Sequence, residues 1–168
     1  RDMFLFSFFT AGMRFSDVCR LKWQNIIGNE IVYTMAKSKT RAGAKRTLPL
    51  TPKAINILEG YKGKDESFVF PPLYGMADKS AEEIEHRLYI SNNAANRSLR
   101  IACEKAGIKK RVSMHMAKHS FADFAVKSNT GILMISKLLG HTKLSTTQHY
   151  LKDFYHKEEA EEMNRLFG

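Results

Sequence analysis

Two neighbouring stretches of this chain carry the pattern of extended backbone, EIVYTM at Glu30 to Met35 and KRTLPL at Lys45 to Leu50. Between them lies AKSKTRAGA, whose Gly43 permits a reversal, so the pair reads as a β-hairpin with Lys37, Lys39 and Arg41 at a strongly cationic tip. The rest of the chain carries helical spacing or loop signals. The expected fold is therefore mainly α with a small antiparallel β-sheet, an α+β architecture.

The helical segments can be placed one by one. Asp2 to Ala11 is almost wholly apolar, yet too short and too often interrupted by polar residues to span a bilayer, so it reads as a buried helix broken by Gly12. Ser16 and Asp17 offer an N-cap for a second short helix running through Leu21 to Trp23, which puts Arg14 at a corner between helices. Thr51 followed by Pro52 opens a third helix, with Ala54, Ile55 and Leu58 on one face and Gly60 to Gly63 ending it. Phe68 to Tyr74 is a connector. Asp78 to Tyr89 is charged enough to be an exposed helix or a mobile loop, and a helix from Ser91 to Ala106 follows, closed by Gly107. Further helices are expected at Met114 to Lys127, Ile132 to Leu139 and Thr146 to Phe154, then an amphipathic piece from Lys157 to Phe167. The chain opens in mid-pattern without an initiating Met and reads as a fragment of a longer protein.

With 168 residues and 43% hydrophobic content, the chain has material for one packed domain. Lys and Arg outnumber Asp and Glu by 27 to 17, and the net charge of +10 calls for a polyanionic partner, nucleic acid first. The excess is uneven. From Asp153 onward, Glu158, Glu159, Glu161 and Glu162 face only Lys157 and Arg165, so the tail has the wrong sign for a phosphate backbone. Cys19 and Cys103 stand in apolar helical contexts without a C-x-x-C partner and read as buried reduced thiols in an intracellular, cytoplasmic protein.

In SMHMAKHSF, His115 and Lys118 share a helix face and can reach one small anion, while His119 reads as a core histidine. The H-x-x-x-H spacing lacks the internal glutamate of a zinc helix and a third ligand nearby, so no metal and no other cofactor is expected. The order of groups is the informative part. Arg14 stands in TAGMRFSDVCRLKW, the basic hairpin follows, then His115 with Lys118, then His141 in LLGH with Tyr150 nine residues further on. This series resembles the tyrosine recombinase or phage integrase family, similar to lambda-type and Xer-type integrases, and the resemblance implies an integrase of a mobile element. The resemblance covers residues 1–155 as the family's catalytic domain, leaves 156–168 as a C-terminal tail, and implies that the N-terminal core-binding domain is absent from this chain.

What the resemblance implies is site-specific DNA recombination without a metal. Tyr150 would attack a DNA phosphodiester and form a 3'-phosphotyrosyl link, releasing a 5'-hydroxyl that later attacks a partner strand. Arg14 matches a phosphate-clamping arginine, and His115 and His141 match positions for proton transfer and hydrogen-bond donation. The family's general acid is a hairpin lysine, best matched by Lys39, with Lys37 and Lys45 as alternatives. Asp17 matches an acidic buttress, although a helix-capping residue would look the same. Lys118 is a departure, because the family's H-x-x-R reads H-M-A-K here and a mobile point charge replaces a bidentate fork. Weakened catalysis, leaving a DNA-binding module, is thus one alternative, and strand relaxation of the type IB topoisomerase kind is another.

Lys37, Arg41, Lys45, Arg46, Arg97, Arg100 and Lys143 are expected on the DNA backbone, and Asn92, Asn93 and Asn96 share a helix with Arg97 and Arg100 that can approach base edges. The tail is expected to pack on protein. The resemblance implies a monomer when free, a homotetramer on double-stranded DNA with tails exchanged between protomers, accessory DNA-bending proteins, nucleoid association and no membrane.

Overall fold

The computed structural model describes residues 1–36, 45–141, 143–148 and 165–167. Its elements are α1 (Asp2–Phe9), α2 (Phe15–Cys19), β1 (Ile26–Ile27), β2 (Glu30–Thr34), β3 (Lys45–Pro49), α3 (Pro52–Glu59), α4 (Ala81–Lys105), α5 (Met116–Lys127) and α6 (Ile132–Leu139). The strands form one antiparallel sheet in the order β1-β2-β3, with Ile31 opposite Leu48 and Tyr33 opposite Arg46. The hairpin is therefore where the alternation placed it. β1 was not expected: two residues are too few to show a period.

The core is built around α1. Phe6 lies edge-on to Phe70 at 5.0 Å between ring centres, and the same cluster takes in Val18, Ile31, Leu48, Ala54, Leu58 and Val69. Helix α1 thereby joins the inner face of the sheet to α3, while its other side rests on α5 through Phe8, Phe121 and Phe124. Ala122, Ala125 and Val126 of α5 close over Ile135 and Leu139 of α6. A third cluster, Cys19, Phe68, Leu73 and Leu88, ties α4 to α2. Cys19 is buried as expected, with its thiol pushed up by burial; Cys103 is only half-buried.

Local chemistry accounts for the helix starts. Thr51 Oγ1 accepts the Ala54 amide at 3.2 Å, with Pro52 following as the first helical residue. At α4, Ser80 and Glu83 form a reciprocal capping box, and the helix then runs unbroken for 25 residues. The charged segment ahead of Ser91 is thus the first half of one long helix. Helix α2 begins at Phe15 with Arg14 as its N-cap and no side-chain cap, so Ser16 and Asp17 lie inside it, and Trp23–Asn25 is a separate 3-10 turn. Residues 144–148 are helical, and so are 165–167; the remaining stretches of the expected 146–154 and 157–167 helices lie outside the described residues. Among the described residues no helix is long and apolar enough to cross a membrane.

Candidate active site

Arg14 is delivered by the turn that ends α1. Ala11 and Gly12 both take left-handed backbone, with φ of 56° and 71°, and fold the chain back so that the Gly12 amide donates to the Ser7 carbonyl at 2.8 Å. The buried Ser7 hydroxyl donates to the Met13 carbonyl at 2.5 Å, fixing the peptide that leads into Arg14. Gly12 has no alternative. A Cβ there would lie 2.7 Å from the Lys118 Cα, so this turn and α5 touch backbone to backbone.

Helix α5 supplies the next two groups. The Asn96 side-chain oxygen accepts the Met114 amide at 2.8 Å, so α4 pins the entry to α5, and His115 and Lys118 follow within its first turn. Arg14, His115 and Lys118 line one cavity of about 390 Å³, whose far wall is Glu85, Leu88, Tyr89 and Asn92 of α4. Glu85, in that far wall, is paired with Arg20. Asp17 is the buried acid behind them. Its Oδ1 accepts the Ala36 amide at 2.8 Å, linking α2 to the end of the hairpin, and burial raises its pKa against the opposing pull of Arg14, Arg20 and Arg46.

His141 is not in the cavity wall but reaches the cluster through the end of α6. The Lys118 ammonium, only 8% exposed, donates to the Leu139 carbonyl at 2.9 Å. Two residues on, His141 Nδ1 lies 2.8 Å from the hydroxyl of the fully buried Thr147, which orients the ring. Burial first, then the charges of Lys118, Arg14 and Arg46, press the His141 pKa down to about 4, so the imidazole is neutral at neutral pH. The same causes, burial before Arg14 and Arg46, lower Lys118 to about 8, and His115 is lowered by burial and by Lys118 and Arg14. Cations crowded around a hollow in this way are costly alone and ready for an anion.

Of the residues singled out from sequence, Arg14, His115, Lys118 and His141 are brought together. Tyr150, Lys37, Lys39 and Arg41 lie outside the described residues. Lys45, Arg97, Arg100 and Lys143 are exposed, as backbone-binding positions need to be. Arg46 is turned inward onto the last turn of α6, and Asn96 is committed to the Met114 amide. His119 is exposed with its ring edge-on to His115 at 4.8 Å between centres, so it is no core histidine. Among the described residues there is no cluster of three or more His, Cys, Asp or Glu able to hold a metal. Sequence reasoning missed Glu85, Leu88 and Tyr89 of the α4 wall; Asn92, singled out there for base edges, joins them at helical spacing.

A family model described as "Phage integrase family" matches residues 2–157. A tyrosine recombinase XerC from Xanthomonas campestris pv. campestris is 28% identical over 155 residues, covering 89% of this chain and 43% of the relative. The chain thus spans less than half the length of that relative. The crystal structure of XerA recombinase superposes with a TM-score of 0.63 at 20% identity, over 94% of this chain and 57% of the other. The Tn1549 transposon integrase in complex with transposon right end DNA superposes with a TM-score of 0.65 at 14% identity, over 95% and 57%. At these identities the superpositions speak for the fold.

Proposed function

Because the chain belongs to the phage integrase family, we propose that its cation-lined cavity binds one phosphodiester of double-stranded DNA and that the protein recombines DNA by cutting and rejoining strands. The convergence of Arg14, His115 and Lys118 on a single 390 Å³ cavity, from a turn and a helix far apart in sequence, carries this reading. In it, the Arg14 fork and the Lys118 charge oppose the negative charge that builds on the non-bridging oxygens. His115 and the neutral His141 donate or relay protons around the same phosphate. The Tyr150 oxygen attacks phosphorus, the bond to the 5'-oxygen breaks, and a lysine of the hairpin, Lys39 by preference, hands its proton to the departing oxygen. The reverse step returns a 5'-hydroxyl of the exchanging strand to phosphorus and frees the tyrosine.

The exposed Lys45, Arg97, Arg100 and Lys143 hold the duplex through its phosphates, which gives salt-dependent affinity. Residues 156–168 then pass between protomers of a homotetramer assembled on DNA, the acidic segment packing on protein instead of phosphate. The test is trapping on nicked duplexes drawn from candidate sites. The wild-type chain is expected to give a protein-DNA adduct that survives denaturant, and Tyr150→Phe none. Salt-sensitive binding without an adduct from the wild type on every site would leave a DNA-binding module only.

A further inference from the structure

The last turn of α6 shows where every one of its carbonyls goes. Gly140 takes left-handed backbone at φ 70°, so the His141 amide donates to the Ser136 carbonyl at 3.0 Å and the Gly140 amide to Lys137 at 3.1 Å. That leaves the carbonyls of Leu138 and Leu139 pointing out of the helix end. Lys118 takes Leu139. The Leu138 carbonyl accepts from Arg46 Nη2 at 2.6 Å, and the same nitrogen reaches the Lys137 carbonyl at 3.3 Å. Arg46 comes from β3, 92 positions earlier, and its other terminal nitrogen donates to the Tyr33 hydroxyl at 3.3 Å. Gly140 lies flat against this guanidinium: a Cβ there would stand 2.7 Å from Arg46 Cζ.

We infer that Arg46 is a positioning residue for DNA cleavage: by clasping the carbonyl end of α6 to the inner face of the sheet, it sets where His141 stands relative to Arg14 and Lys118. The inference rests on the strand-cleavage reading above and deepens it. A planar fork is suited to the task, since one side grips two successive carbonyls while the other is braced by Tyr33; a lysine offers a single point charge. The helix end adds to the attraction, because its partial negative charge faces a fixed cation. The hairpin that carries the lysines expected to protonate the leaving oxygen is thereby joined to the segment carrying His141.

The experiment compares wild type, Arg46→Ala and Arg46→Lys in three measurements. These are duplex affinity against salt, adduct formation on a nicked duplex at saturating protein, and amide hydrogen exchange over residues 136–141. For Arg46→Ala, affinity should stay within about twofold with an unchanged salt slope, adduct formation from the saturated complex should fall about tenfold or more, and exchange at 138–141 should quicken. Arg46→Lys, which keeps the charge but not the fork, should likewise match wild type in affinity and fail to restore cleavage. The assignment is overturned if Arg46→Ala loses affinity together with about one unit of salt slope while cleaving normally once bound, if lysine fully restores cleavage, or if exchange at 136–141 is unchanged. A wild type that forms no adduct sinks the strand-cleavage reading instead, and the exchange measurement still decides whether Arg46 holds the end of α6.

Discussion

Lys118 is the residue on which the chemistry of this site turns. Its ammonium donates to the Leu139 carbonyl but is buried among like charges, so the folded protein holds its proton less tightly than the unfolded chain does, about 8 against the ordinary 10.5. The unfolded state therefore binds more protons between those values, and stability rises as pH climbs from 8 to 10.5, by roughly 3 kcal/mol in order of magnitude. Urea unfolding should show this rise for the wild type and lose it in Lys118→Met. Cleavage should move the other way. kcat/KM, which reports the free enzyme, is expected to fall above about pH 8 in the wild type. In Lys118→Arg it should stay level, because arginine keeps its proton, and exceed the wild type where lysine's single charge clamps phosphate less well. Equal rates at all pH values would show that the departure from arginine costs nothing.

Among the elements, α4 does the most to shape the cavity. At 25 residues it reaches roughly 37 Å, and it presents one wall to the cation-lined cavity while pinning α5 through Asn96. Its first turn depends on Ser80 and Glu83, each capping the other's backbone. Ser80→Ala should cost about 1 kcal/mol and fray residues near Glu82 and Glu83, seen as faster amide exchange there with α5 unchanged. The same pair shows why this element was only half legible in the sequence. The dense charge from Asp78 to Tyr89 masks the helical period, whereas S-x-x-E at Ser80 to Glu83 is a start signal that ignores composition. Arg46 teaches the complementary lesson about strands. Alternation puts it on the same face as Leu48 and Leu50, so an arginine that looks like one more surface base was marked for the interior by its register. The hairpin, α3 and α6 were legible because their pattern agrees with a Pro or Gly at an end or turn, whereas α5 ends on Ser128 and a left-handed Asn129; β1 was too short and α2 too polar at its start.

At the scale of the whole molecule, a share of the excess of base over acid gathers at a site that is electrostatically unfinished without an anion. Arg14, Lys118 and Arg46 each act on His141, and Asp17 is the acid that pulls Lys118 the other way. Inorganic phosphate should therefore raise the unfolding temperature at constant ionic strength, by about 1.4 kcal/mol of stability at ten times its Kd. Arg14→Ala should remove most of that gain, and a gain unchanged by that substitution would place the anion elsewhere. The clasp between β3 and the Leu138 carbonyl spans 92 positions of chain, so its two sides meet only by closing a long loop. A ribosome releasing this polypeptide would deliver Arg14 and Arg46 well before the carbonyl that Arg46 grips, so the surroundings of His141 are completed only when α6 has emerged.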